Sequence, residues 1–278
     1  MASILDAGGG LTIASGDIPN LQVFHLKADN SLFGTNELIS NLNATPTQIA
    51  LAAGDNVDIV SDDTDDSSAG TGAQSVWISG CAADYSYQSE TLSLNGTTPV
   101  VSANKYIHIN ECYVTAVGTQ LACDGQLTLA DVTNSNSLGI IEADDTQIRN
   151  CQWMVPLGHT AYVYGFWASV TPEGTTSDYP IIKLQVSKTN FTGTINSEVY
   201  STEGQLVMAE IDSNLTPANT TNGGPHTFEF PGGIPLVVPE KSIVRIVGTT
   251  LSSSAACIAG FTMAVMGQPN TRTVQTNS

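Results

Sequence analysis

The side chains most able to do chemistry in this 278-residue chain are its carboxylates, and the densest group is Asp62, Asp63, Asp65 and Asp66, with Asp55 and Asp58 shortly before. Closely spaced aspartates on a loop offer the hard oxygen ligands that Ca2+ takes, so these four are the candidate metal ligands. The spacing lacks the glycine and the closing glutamate of an EF-hand, and a solvated acidic loop is the competing account. Glu142, Glu173, Glu198, Glu210 and Glu229 could supply the two facing carboxylates of a glycosidase, but their positions along the chain do not pair them.

Other chemistries find less support. His25, His108, His159 and His226 are scattered and there is no G-x-S-x-G elbow, so no nucleophile and base can be matched. His108 falls on the polar side of an alternating segment and His159 in a Pro-Leu-Gly-His turn, which predicts surface or turn positions for both. Short-spaced Cys or His pairs of the zinc-binding kind are absent, and Gly70-Thr-Gly-Ala-Gln-Ser75 lacks the third glycine of a dinucleotide fingerprint. Cys81, Cys112, Cys123, Cys151 and Cys257 are odd in number, widely spaced and set in apolar segments, as buried thiols are. The sequence therefore assigns no catalytic and no cofactor-binding residue, Ca2+ is its one candidate cofactor, and a protein without enzymatic activity is expected.

Charge narrows the partners. Lys and Arg number 8 against 26 Asp and Glu, a net charge of −18, and no basic residue stands between Lys27 and Lys105. Nucleic acid and anionic membranes are held mainly through Lys and Arg, so neither is an expected partner. The first residues lack a basic n-region and an apolar h-region, and no run approaches the roughly 18 apolar residues of a membrane span, so synthesis in a reducing cytoplasm is expected.

The elements that must position these groups are strands. Polar and apolar residues alternate strictly in Ile182–Ser187 and Tyr106–Asn110, and again in Gln126–Leu129 and Thr91–Leu94, as they do where one sheet face meets a core and the other meets water. Asn95-Gly96, which tolerates the positive φ of a type I′ turn, predicts a hairpin between Thr91–Leu94 and Thr97–Val101. Ala161–Ala168 and Ala256–Val265 are apolar on both faces, as in the middle of a sandwich or at an oligomer interface. Trp77, Trp153, Trp167, Tyr85, Tyr87, Tyr162 and Tyr164 are available for a glycan platform or a subunit interface, or as core. Asn36–Leu42 carries the one helical pattern.

Strand signals spaced by Gly-, Pro- and Asn-rich turns predict an all-β fold, an antiparallel jelly-roll-like β-sandwich. The expected organisation is an N-terminal arm or small subdomain over residues 1–55, a body over 56–267 that is one sandwich or two packed sandwiches divided near 145, and a polar tail over 268–278.

Three stretches carry a resemblance: Val76–Gly80 with Tyr85, Ser89–Val100 and Tyr106–Val117; Trp153–Tyr162 with its Val-Pro-x-Gly turn; and Ile234–Ile243 with its Pro-Glu turn. Together they span about residues 74–266, and the pattern resembles virion structural proteins of tailed bacteriophages, including cyanophages. These are strand and turn signatures, so no functional residue carries over. The resemblance implies a capsid decoration or cement protein on the outer capsid surface of a virion, partnered by the major capsid protein and by itself as a homotrimer. The alternative it implies is a tail or head fibre adhesin binding a host-surface glycan through loops such as Thr171–Tyr179 and Leu215–His226.

Overall fold

The computed structural model describes residues 21–33, 37–40, 53–172, 181–188, 205–212, 226–230, 233–249 and 255–267. The regular elements among them are all β-strands, and every pairing is antiparallel. No helix among these residues is long and apolar enough to cross a membrane.

The chain opens with β1 (Leu21–Phe33) and β2 (Glu37–Leu38). It then builds β3 (Asp55–Ser61), β4 (Ala73–Cys81), β5 (Tyr87–Ser93), β6 (Val100–Tyr106), β7 (His108–Val117), β8 (Leu127–Asp131) and β9 (Ser137–Ile141). It closes with β10 (Gln152–Met154), β11 (His159–Pro172), β12 (Ile181–Lys188), β13 (Gln205–Asp212), β14 (His226–Glu229), β15 (Leu236–Val238), β16 (Ser242–Thr249) and β17 (Ala255–Gly267).

The first and last groups together make one sandwich. One of its sheets runs β1-β17-β11-β14 with β15 also on β11, and the other runs β10-β16-β12-β13 with β2 also on β16. Numbering β1, β10, β11, β12, β13, β14, β16 and β17 as first to eighth, the sheets hold first, eighth, third, sixth and second, seventh, fourth, fifth. That order, two interleaved Greek keys, is a jelly roll. Its core joins Phe166, Phe261 and Met263 from one sheet to Trp153, Ile182, Leu184, Val244 and Ile246 from the other, and Phe24 stacks on Trp153 with ring centroids 4.2 Å apart.

The middle group is a second sandwich threaded into the first. Its sheets are β6-β3-β8-β9 and β5-β4-β7, closed over a separate core of Val57, Ile59, Val76, Ile78, Leu127, Leu129 and Ile141. The insertion interrupts a single strand. Leu38 faces Val247 on β16 and Gln152 faces Arg245, so β2 and β10 lie end to end along the same partner. Ile39 donates its N–H to Ile246, Ile246 donates to Cys151 and Cys151 donates to Ile39, while Ser40 and Asn150 bridge where the insertion leaves and returns.

Where the two sandwiches meet, Cys81, Ile107, Met154 and Ile243 form a small apolar cluster with Tyr85. The Asn110 side chain stands in for a neighbouring strand: its amide donates to the Met154 carbonyl at 2.9 Å and its oxygen accepts the Met154 N–H at 2.9 Å. Arg149 ties the junction from outside, reaching Asp29 on β1 at 3.1 Å and Asp145 of the insertion at 2.6 Å.

Four expectations are corrected. Residues 21–33 and 37–38 are no arm; Phe24 and Leu26 alternate with exposed His25 and Lys27, and β1 pairs with β17 as an integral strand of the jelly roll. The described part of Asn36–Leu42 is extended, because Leu38 and Ile39 are both buried, one on each face of the interrupted strand. Asn95-Gly96 closes no hairpin: Gly96 does take positive φ, but β5 pairs with β4 and β6 with β3, so the turn carries the chain from one sheet to the other. Glu90 on β5 bridges that gap by accepting the N–H groups of Ala103 and Asn104 and the Tyr106 hydroxyl. His108 is not at the surface; it lies buried beside the junction, with Nε2 lacking a hydrogen-bond partner. The tail 268–278 lies outside the described residues.

Burial without a partner disfavours the imidazolium and pushes the His108 pKa from 6.5 down to about 3. Below 6.5 the unfolded chain takes up a proton that the folded chain refuses, so stability is lost as pH falls from 6.5 toward 3. That loss approaches about 1.4 kcal/mol per pH unit. Urea unfolding of His108→Gln and the unsubstituted protein from pH 7 to 4 should show the difference between them shifting in favour of the variant as pH falls. A constant difference across that range would refute the assignment.

Candidate functional site

In the acidic loop between β3 and β4 the carboxylates are engaged in hydrogen bonds within the protein. Asp66 is fully buried, and its carboxylate accepts four hydrogen bonds: Oδ1 from the N–H groups of Ala73 (2.7 Å) and Asp124 (2.9 Å), Oδ2 from the Ser61 hydroxyl (2.6 Å) and the Gly125 N–H (2.9 Å). Asp62 Oδ1 accepts the Gln126 N–H and Asp63 Oδ1 accepts the Asp65 N–H. Gly72 is required here, because a Cβ at that position would collide with Asp66 Oδ1. The sequence brought Asp62, Asp63, Asp65 and Asp66 forward as Ca2+ ligands; the structure puts Asp62, Asp63 and Asp66 to work on backbone N–H groups. Among the described residues no three His, Cys, Asp or Glu side chains are placed to hold a metal ion.

The glutamates do not assemble a glycosidase pair among the described residues. Glu142 accepts a hydrogen bond from Gln126 at 2.8 Å, while Glu173 and Glu198 lie outside the described residues, as do the side chains of Glu210 and Glu229. The five cysteines are free and buried, and burial raises the thiols of Cys81 and Cys257 to about 12, far from a reactive thiolate.

Two sheet faces gather the remaining chemistry. The first is the outer face of the β1-β17-β11 sheet. Cross-strand rows place Val23, Ala264, Tyr162 and Val237 side by side, flanked by Leu21 and Met266, and Leu21, Val23, Ala264, Met266, Tyr162 and Tyr164 pack together. Val237 is 57% exposed and Ile258 42% exposed on this face. The strands that were apolar on both faces thus give one face to the core and present the other outward.

The second is the outer face of β5-β4-β7. Its rows run Ser89-Ser79-Glu111 and Thr91-Trp77-Tyr113, and the next holds Ser93 and Ser75 with Thr115. Trp77 and Tyr113 stack with ring centroids 4.9 Å apart at 37°. The Ser79 hydroxyl, fully buried, donates to Glu111 Oε2 at 3.3 Å, and Tyr87 is 44% exposed on the same face. Burial raises the Glu111 carboxyl to about 7. Of the aromatic residues singled out in the sequence, Trp77 and Tyr87 meet here, while Trp153 is core and Tyr85 lies under Lys241 at the junction. Sequence reasoning missed Tyr113 and Glu111, although Glu111-Cys112-Tyr113 carries the alternation that puts both on the face opposite Cys112.

No protein-family model matches the chain, and no curated protein does. Solved structures that share some likeness include that of the infectious bursal disease virus Gx strain, with 10% identity, 90% of this chain and 71% of that chain covered, and a TM-score of 0.23. The VP2 subviral particle of infectious bursal disease virus shows 11% identity, 90% and 73% coverage, and a TM-score of 0.23. The jelly-roll assignment rests on the strand order described above and not on these likenesses.

Asp66→Ala should leave three backbone N–H groups and a hydroxyl buried without an acceptor, costing at least about 3 kcal/mol in urea unfolding. The melting midpoint of the unsubstituted protein should be the same with added calcium and with chelator. A neutral Asp66→Ala, or a midpoint raised by calcium, would restore the metal-site account.

Proposed function

We propose that the chain is a structural component of a virion, without enzymatic activity, acting as a decoration or cement protein on the outer capsid surface. The observation that carries the assembly role is the outward apolar face of the β1-β17-β11 sheet. A rise of roughly 3.3 Å per residue over strands of 13 or 14 residues, and a spacing of about 4.8 Å across the three strands, give a sheet face on the order of 600 Å2, with the apolar rows at the Leu21 end and His25, Lys27 and Asp29 beyond them. A specific protein interface takes roughly 800 Å2 from each partner, so this face would supply most of one and neighbouring surface the rest. A net charge of −18 keeps such a surface soluble before assembly and disfavours genome contact. The virion setting is supported by the resemblance of residues 74–266 to tailed-phage structural proteins.

In this role the protein ties neighbouring capsomers of the major capsid protein together as a homotrimer, and contact area does the work that chemistry does in an enzyme. The fibre adhesin is the second reading, favoured by the aromatic and hydroxyl-rich face of β5-β4-β7. The loops first considered for glycan contact, Thr171–Tyr179 and Leu215–His226, fall largely outside the described residues.

Light scattering at micromolar concentration should show an oligomer for the unsubstituted protein and a monomer for Val23→Asp, which places a charge in the apolar row of the face. Quantified bands from purified particles should give hundreds of copies per virion. A stable monomer would remove the assembly role, and a few dozen copies would move the protein to a fibre or tail.

A further inference from the structure

The outer face of β5-β4-β7 has a composition unlike the rest of the molecule. Its outward residues are Ser75, Ser79, Ser89, Thr91, Ser93 and Thr115, with the aromatic side chains Trp77, Tyr113 and Tyr87 and the single carboxyl of Glu111. None of the three strands contains Lys or Arg. The face is open: Tyr87 and Tyr113 are 44% and 39% exposed, and Thr91, Ser93 and Thr115 are exposed as well.

Partly exposed aromatic rings on an open sheet, bordered by hydrogen-bonding groups, match one class of ligand. A pyranose ring is apolar across the face that carries its axial C–H groups and polar around its rim. It gains by laying the first on an aromatic surface and pairing the second with hydroxyls and a carboxyl. Trp77 and Tyr113 lean on each other, and Tyr113 is 39% exposed, so part of the ring surface of the pair is open to such a ligand. Ser79 is fully buried and anchors Glu111 from beneath, so that carboxyl is set before any ligand arrives.

We propose that this face is a binding ledge for neutral hexose oligosaccharides, with sugar rings stacked on Trp77 and Tyr113 and ring hydroxyls held by Glu111 and Tyr87. The lack of any cation on the three strands, on a chain of net charge −18, sets the charge class of the ligand: sulfated, sialylated and uronic-acid glycans are repelled. The buried Glu111 carboxyl, raised to about 7, is partly protonated at neutral pH, so it both donates and accepts with sugar hydroxyls. The inference stands apart from the assembly role, because the ledge lies on the inserted sandwich and the apolar face lies on the jelly roll.

The test titrates the full chain with cellohexaose, laminarihexaose and mannohexaose, and with a heparin-derived hexasaccharide as the anionic control, following calorimetric heat and tryptophan emission. At least one neutral hexasaccharide should bind in the millimolar range or tighter, and the heparin fragment should not bind. Trp77→Ala and Tyr113→Ala should each weaken binding by about tenfold or more. Tyr113 is exposed enough for its variant to keep the unsubstituted melting midpoint if Trp77→Ala does not. Val23→Asp should bind sugar as the unsubstituted protein does, which separates failure of the ledge from failure of assembly. Absence of binding by all three neutral probes would overturn the proposal, as would a folded Tyr113→Ala that binds unchanged or preference for the heparin fragment.

Discussion

The structure depends on one pairing, that of β1 with β17. These strands stand more than two hundred residues apart in sequence, yet they run side by side from Leu21↔Met266 to Phe33↔Ala255. With β1 in place, Phe24 reaches Trp153 across the core, Asp29 reaches Arg149, and the outer row Val23-Ala264-Tyr162 becomes continuous. Without it the jelly roll would lose its first strand and its apolar outer face. Closing so long a loop costs chain entropy before any contact rewards it, which makes this a fold dominated by non-local contacts and slow to form.

Nesting one sandwich inside a strand of another is tolerated because the ends of the insertion are held together. Ile39, Cys151 and Ile246 exchange backbone hydrogen bonds as neighbours would in an unbroken strand, so the jelly roll hardly registers the 109 residues between Ser40 and Asn150. The two cores share little beyond the junction cluster around Met154. Each sandwich can therefore carry its own surface, and the two faces singled out here lie one on each.

The acidic character of the chain also takes on a different meaning in three dimensions. Asp55, Asp66 and Asp131 are buried, and each accepts backbone N–H groups in a turn: Asn56 and Thr133 at Asp55, Ala73, Asp124 and Gly125 at Asp66, Asn136 at Asp131. Hydrogen bonds to the charged form hold the Asp55 carboxyl below its ordinary range against the opposing effect of burial. Part of the negative charge is thus structural, fastening turns that the inserted sandwich needs in order to close.

The sequence by itself determined the class of fold, alternating strands such as Gln126–Leu129 and the positive φ at Gly96, because these follow from local periodicity and local backbone sterics, but Tyr106–Asn110, which alternates as strictly, is buried throughout and spans the end of β6 and the start of β7. It did not determine which strands pair. Thr91–Leu94 and Val100–Val101 look like the arms of a hairpin, but each found better apolar partners in a different sheet, and β1 found its partner at the far end of the chain. The same limit hid the ledge: Trp77, Glu111 and Tyr113 come from two strands separated by β5 and β6, and only the register of β4 on β7 brings them onto one face. The role of Asp66 was also decided by tertiary structure, because the N–H groups that saturate it at Asp124 and Gly125 lie 58 and 59 residues away. Alternation says which residues share a face of one strand; which strands share a sheet is set by long-range burial, which has no local signature.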